Sequence, residues 1–306
     1  MKLLSAVLGI TLLGSIAVQA VPMVDGVLGP GEYGAAVSVQ AVETQFGDNF
    51  SELNAAYARI AGGHLYLMLT GNLEGNFNKL NIFIDSQPGG QNIISGANNP
   101  PNDGWAAAHN GMRFDTGFEP DYLLILRNGA GKFDLDYAII GGGATDFDSF
   151  EDVFGGTQEG SGVTGPGANL GFSFMLGFDN SNTAGVAGGT GAADQAAALA
   201  VTTGIEIGIP LAAIGNPAIG TDVHISAMVN GSNHDFLSNQ FLGPLQPPQG
   251  NLGGDGAGNW TGGLSDIDLN NFAGQQFFTV VIPEPGSVLL LGLGLLGVAR
   301  ARRRVR

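Results

Sequence analysis

Short segments with alternating apolar and polar residues recur along the chain between residues 37 and 281. A side-chain period of two is typical of a strand with one buried face, and a short continuous apolar run is typical of a fully buried strand. Segments rich in β-branched and aromatic residues occur at 37–41, 56–60, 64–70, 80–85, 122–127, 133–137, 171–178, 204–209, 223–229 and 276–281. They predict an all-β fold, an antiparallel β-sandwich of jelly-roll type.

Helical patterns are scarce by comparison. Residues 211–214 predict a single helical turn, and the alanine-rich stretch 192–200 is open between helix and coil. Four long connections, 86–120, 141–169, 179–203 and 243–274, separate the strands and contain much of the glycine. Loops longer than about 15 residues in a compact domain are usually functional or disordered. We therefore expect any binding face where these loops converge on the sandwich.

Both ends of the chain carry processing patterns rather than strand patterns. At the N-terminus, Lys2 precedes an apolar run over 3–18 that closes with Val18-Gln19-Ala20. This order is typical of a secretory signal peptide, residues 1–20, which signal peptidase is expected to cleave after Ala20. The N-terminal pattern therefore predicts export.

The C-terminus has a short apolar segment and a basic end. Residues 287–299, as a helix, would span about 20 Å, less than the ~30 Å of a bilayer core, and flanking arginines can reach the headgroups of a short anchor. The positive-inside rule predicts a cytoplasmic extreme C-terminus. The basic residues are Arg300, Arg302, Arg303, Arg304 and Arg306.

A proline-rich motif precedes this segment and consists of Pro283, Glu284, Pro285 and Gly286. Two prolines around a carboxylate break a helix and present an extended, accessible strip. The alternative is a permanent tail anchor, but such an anchor does not need an accessible strip. Together with the apolar segment and the basic end, residues 282–306 resemble the PEP-CTERM sorting signal. The resemblance implies transient residence in the inner membrane, cleavage by an exosortase, and transfer to the surface or extracellular matrix of a Gram-negative-type bacterium.

The body between these signals, residues 21–281, is strongly acidic. It contains 26 acidic and 5 basic residues, a net charge of −21, and the chain has no cysteine. Such a charge argues against nucleic acid and anionic membranes as partners of the body and favours neutral sugars over anionic ones. Without disulfides, the exported fold depends on its core alone.

Parts of the body resemble family 9 carbohydrate-binding modules and their DOMON-like relatives. The resemblance rests on Val24-Asp25-Gly26-Val27-Leu28, on the hairpin around Gly62-Gly63, on 80–85 and on 206–215. It implies a jelly-roll-like sandwich and, less directly, polysaccharide binding.

The tryptophans are the candidate ligand contacts. Trp105 and Trp260 both lie in long glycine-rich loops. An indole on a polar loop presents a flat apolar face and an N–H donor, which suits stacking against a pyranose. The alternative is that each ring only fixes its own loop to the sandwich.

The densest acidic cluster is the candidate calcium site and comprises Asp146, Asp148, Glu151 and Asp152. Calcium prefers several oxygen ligands on irregular backbone, although the spacing is not that of an EF-hand. A solvated acidic loop is the alternative. Catalytic motifs are missing from the sequence, and His109 and His234 lie in loops with no second ligand at metal-binding spacing.

These observations predict an exported, non-catalytic protein that associates with glycan or matrix at the cell surface, with calcium as a candidate cofactor. One alternative is a purely structural acidic matrix protein. A second is a surface glycoside hydrolase or another hydrolase, because sequence alone cannot place two carboxylates at a catalytic separation.

Overall fold

Within residues 21–283, which a computed structural model of the chain describes, two antiparallel sheets pack face to face. The first sheet has the order β1-β2-β3-β10-β9-β8, and the second has the order β12-β11-β4-β5-β6-β7, with β13 also on β11. The strands are β1 Ser38–Val39, β2 Glu52–Ala61, β3 His64–Asn72, β4 Asn76–Asp85, β5 Tyr122–Gly129, β6 Lys132–Ile139, β7 Phe147–Phe150, β8 Gly160–Val163, β9 Met175–Phe178, β10 Gly204–Pro210, β11 Asp222–Asn230, β12 Leu237–Leu242 and β13 Phe278–Val281. The all-β sandwich predicted from the alternating pattern is therefore confirmed. The predicted signal peptide, residues 1–20, lies outside the described residues.

The main core lies between the two sheets. Alternate residues of the central strands point into it, so β4 contributes Leu80, Ile82 and Ile84, and β10 contributes Ile205, Ile207 and Ile209; all are buried. This is the period of two that the sequence shows. Since each large aliphatic side chain contributes about 1.5–3 kcal/mol when fully buried, this layer supplies most of the stability that a chain without disulfides needs.

The second sheet is covered on its other face as well. Phe83, Leu123 and Ile125 point away from the main core and pack under residues of the connections 86–120 and 243–274. These two connections bond to each other, with Arg113 N–H donating to Ile267 O and Leu264 N–H donating to Ala108 O, at 2.9 and 2.8 Å. They form a third layer, which explains why the strands of this sheet include continuous apolar runs.

The outer face of the first sheet is covered by the N-terminal segment. Glu206 of β10 accepts hydrogen bonds from Asp25 N–H at 2.9 Å, from Gly26 N–H at 3.2 Å and from the Tyr33 hydroxyl at 2.7 Å. Gly26 has φ of +83°, and a Cβ on it would lie 2.6 Å from Asp179 N, so only glycine fits this crossing. Burial raises the pKa of Glu206 to about 7.

Three strands were not predicted, namely β7, β8 and β12, and the segment 171–178 forms a strand only from Met175 onward. The single turn at Leu211–Ile214 is a 3₁₀ helix, as are Asn102–Gly104 and Leu269–Asn271. The open stretch resolves as α2, Gln195–Ala200, because the Asp194 side chain caps the N–H groups of its first turn. The other helix, α1, is Trp105–Ala108.

Candidate functional site

Trp105 is fully buried in the third layer, with no exposed surface. Its Nε1–H donates to the Asn102 side-chain oxygen at 3.2 Å, and its ring meets His109 edge-on. No face of the ring is open to a sugar. The burial of Trp105 therefore supports the alternative, in which the ring fixes the connection 86–120 onto the second sheet.

Trp260 has the opposite environment. Its side chain is 68% exposed, and its Nε1–H donates to Asp235 Oδ2 at 2.9 Å. The preceding residues form a compact turn in which the Asp255 carboxylate accepts from Ala257 N–H and from both the backbone and the side chain of Asn259. The indole is thus held at its polar edge while most of its apolar surface is in water. This arrangement allows stacking against an apolar sugar face.

The turn that carries Asp235 joins β11 to β12 and is itself rigid. Gly231 N–H donates to Phe236 O, and the Asn230 side chain bonds both His234 O and Phe236 N–H. His234 has φ of +61° and is fully buried beneath the turn. One side of the turn therefore faces Trp260, and its other side anchors the turn to the protein interior.

That anchor is a cluster of buried charges on the outer face of the second sheet, which we call the Asp103 cluster. Asp103 Oδ2 lies 3.3 Å from Lys79 Nζ, 3.2 Å from Arg127 Nη1 and 3.0 Å from His234 Nε2. Arg127 also pairs with Asp134, its neighbour on β6, at 3.3 Å and contacts Asp136. The cluster fixes the connection 86–120, through Asp103, to β4, β5 and the β11–β12 turn.

The electrostatics of the cluster favour an ionised Asp103. Burial alone would raise its pKa, but the hydrogen bond from His234 and the charges of Arg127 and Lys79 outweigh burial and lower the pKa to about 2. Burial lowers the pKa of both Lys79 and His234. Burial also raises the pKa of Asp136. Burying a charge costs folding free energy unless the charge is paired. The pairing in this network therefore fits a structural role, which is to hold the connection 86–120 against the second sheet.

His109 lies beside His234, with ring centroids 5.7 Å apart. Its Nδ1 is 2.9 Å from Trp105 O, and burial lowers its pKa to about 3, so the ring is neutral. The two loop histidines are thus brought together, although sequence spacing does not link them. Across residues 21–283, no group of three or more histidine, aspartate or glutamate side chains is arranged to hold a metal ion.

The structure does not bring the four acids of the predicted calcium cluster together. Asp148 lies buried in β7 and accepts from Asn169 N–H and Leu170 N–H at 2.8 and 3.0 Å. The Asp146 and Asp152 side chains each accept from a local glycine N–H, and Glu151 is exposed. Three of the four carboxylates therefore accept hydrogen bonds from backbone N–H groups of their own, and the arrangement lends no support to a shared cation.

Sequence reasoning missed the Asp103 cluster, although the sequence contains one signal for it. Lys79 and Arg127 are two of only five basic residues in the body, and both lie within predominantly apolar strand segments. A charged residue at such a position is almost never buried without a partner. The identity of that partner, Asp103, depends on the course of a long loop, which periodicity does not indicate.

The described chain ends where the sorting tail begins. Ile282 N–H donates to Thr221 O at 3.0 Å, beside the end of β13, and Pro283 is exposed. Glu284, Pro285, Gly286, the apolar segment 287–299 and the arginines at 300–306 lie outside the described residues. No helix within 21–283 has the length and apolar character needed to cross a membrane.

Comparison with known families identifies this tail. Residues 281–304 match the PEP-CTERM protein-sorting motif, which covers Pro283 to Gly286 and four of the five tail arginines. The match supports an exported protein that transits the membrane and is sorted to the cell surface by an exosortase. No curated protein and no solved structure matches the chain. The resemblance of the body to family 9 carbohydrate-binding modules therefore has no support from these comparisons.

Proposed function

We propose that the exported body is a non-catalytic module that associates with neutral glycan at the cell surface or in the matrix, and that Trp260 is its contact. The observation that carries the proposal is an indole that is 68% exposed and held at its N–H edge by Asp235. A body with 26 acidic and 5 basic residues repels anionic polysaccharides and tolerates neutral ones.

The geometry supports weak binding at a single site. One aromatic ring contributes about 0.5–1.5 kcal/mol beyond its buried area, so a lone tryptophan gives low affinity for one sugar chain. Many copies of the protein on a polymeric matrix convert such contacts into stable association through avidity. A surface-sorted protein meets this condition, because sorting concentrates its copies where the polymer is.

The test is binding of residues 21–283 to a panel of neutral and anionic polysaccharides, with calcium and with a chelator. Trp260→Ala should weaken binding to a neutral polymer by about tenfold, the equivalent of roughly 1.4 kcal/mol. Trp260→Phe should retain most of the binding, because it keeps an aromatic face. Ile219→Ala is the matched control, since Ile219 is also exposed and lies near the opposite end of β11.

Three results would contradict the proposal. Equal binding by the wild type and Trp260→Ala would remove Trp260 as the contact. Failure to bind any polysaccharide, with or without calcium, would favour the structural acidic matrix protein. Turnover of a polysaccharide during the same assay would favour the hydrolase instead.

A further inference from the structure

One edge of the first sheet is formed by β8. Three other edge strands have a neighbouring segment within residues 21–283: Asn169 donates to Phe147 O along β7, the β12 residue Asn239 bonds the segment 249–251, and α2 lies against β1. Within the same residues, no backbone group bonds the outer side of β8. Natural proteins usually protect an edge strand because its free backbone groups pair readily with another chain.

The register identifies which backbone groups of β8 are free. Thr164 N–H donates to Phe174 O, and the pairing continues as Gly162 with Leu176 and Gly160 with Phe178. Bonded and non-bonded pairs alternate in an antiparallel ladder, so the N–H and C=O groups of Ser161 and Val163 point away from β9. No residue of the described chain bonds these four groups.

The side chains of β8 also leave the edge open. The strand consists of Gly160, Ser161, Gly162 and Val163, without a charged residue or proline that would block pairing, and Val163 is 67% exposed. Next to it is an open pocket of about 230 Å³, lined by residues that include Val163, Glu151 and Asp152. The exposed Glu159 precedes the strand. The edge strand is therefore uncharged, with one exposed apolar residue at its end, and acidic residues lie at its margins.

We propose that β8 binds an extended segment of another protein, which adds a seventh strand to the first sheet and places a lysine or arginine beside Glu151 and Asp152. Backbone hydrogen bonds to Ser161 and Val163 would supply the pairing, and the pocket would select the basic side chain. A second copy of this chain fits less well, because each body carries a net charge of −21 and the same carboxylates would face each other. This interaction is independent of the proposed glycan contact.

The test uses the protein from Val21 to Arg306 in a mild detergent and a fluorescent peptide of alternating threonine and valine with lysines at both ends. Anisotropy should show saturable binding. Val163→Pro removes one outward N–H without removing a bond to β9, and Ser161→Pro does the same at the other position. Each should weaken binding by about fivefold, the equivalent of one hydrogen bond. Val163→Thr keeps the backbone donor and a β-branched side chain, and should bind as the wild type does.

Two further measurements distinguish binding by strand pairing from binding by charge attraction alone. A lysine-flanked peptide that is N-methylated at alternate residues should not bind, because it cannot form the ladder. Replacing Glu151 and Asp152 by Gln and Asn should weaken the lysine-flanked peptide and bring its affinity close to that of a glutamate-flanked one. Equal binding of the N-methylated peptide, or undiminished binding by both proline variants, would overturn the proposal. So would a concentration-dependent dimer that Val163→Pro abolishes, because the edge would then serve a second copy.

Discussion

Glu206 makes the stability of the body depend on pH in a direction opposite to that of most carboxylates. Its side chain is fully buried on the outer face of the first sheet, and burial raises its pKa from 4.5 to about 7. Between these values the folded protein holds a proton on Glu206 that the unfolded chain has lost. Stability from this group is therefore present below pH 4.5, declines as the pH rises, and is lost above pH 7.

The size of the effect follows from the two pKa values. One pKa unit corresponds to about 1.4 kcal/mol, so the difference between 4.5 and 7 amounts to roughly 3 kcal/mol of unfolding free energy. Glu206→Gln removes the titration and keeps the contacts, because the amide oxygen can accept from Asp25 and Gly26 N–H and the amide nitrogen can donate to the Tyr33 oxygen. The variant should match the wild type below pH 4.5 and exceed its stability by up to about 3 kcal/mol near pH 8.

Denaturant unfolding of both proteins across this pH range measures the difference. Burial also raises the pKa of Glu52 and raises that of Asp121 to about 6. Both groups are present in the wild type and in Glu206→Gln, so their contributions cancel in the stability difference. Glu159→Gln, which removes one exposed surface carboxylate, is the charge control. A stability difference between Glu206→Gln and the wild type that stays constant from pH 5 to pH 8 would refute the reasoning.

Three further outcomes are expected. Asp103→Asn should destabilise the body by about 3–5 kcal/mol in denaturant unfolding, since it leaves the buried Lys79 ammonium without its counter-ion, whereas Arg127 keeps Asp134 and Asp136; a loss below about 1 kcal/mol would mean that water already screens the cluster. Trp105→Ala should lower the free energy of unfolding by about 3–5 kcal/mol, whereas Trp260→Ala should change it by less than about 0.5 kcal/mol, and similar losses would contradict their assigned environments. Replacing 283–285 by alanines should trap the protein in the inner membrane by cell fractionation, and unchanged release would argue against exosortase sorting.

The strands that the sequence predicted are those whose burial leaves a local pattern. In β4 and β10, core-facing apolar residues occupy every second position because one face of each strand lies in the main core. The local sequence alone therefore predicts both strands. β12 does not, because its Gln240 and Asn239 are buried amides whose partners, such as Gln40, are about 200 residues away in the chain. β8 is half glycine and mostly exposed, so it has no apolar period to detect.

The candidate site shows the same limit. Trp105 and Trp260 both follow polar, glycine-rich segments, and no local property of the sequence separates them. The difference arises from tertiary packing: one ring lies under the third layer, and the other is held at the surface by Asp235. The sorting motif is different, because it is a contiguous pattern within residues 281–304 and the local sequence alone identifies it.

The position of β13 determines how the body bears mechanical load. The described residues end at Pro283, directly after β13, so tension applied from the C-terminal side would reach β13 first, and β13 pairs with β11 at four positions. β11 itself is paired with β4 over seven further positions. Force applied at the C-terminal end should therefore separate the short strand β13 from β11 before it strains the central strands of the sheet. Since an extended chain spans about 3.5 Å per residue, the released segment lengthens the tether while the Trp260 face and the β8 edge stay folded.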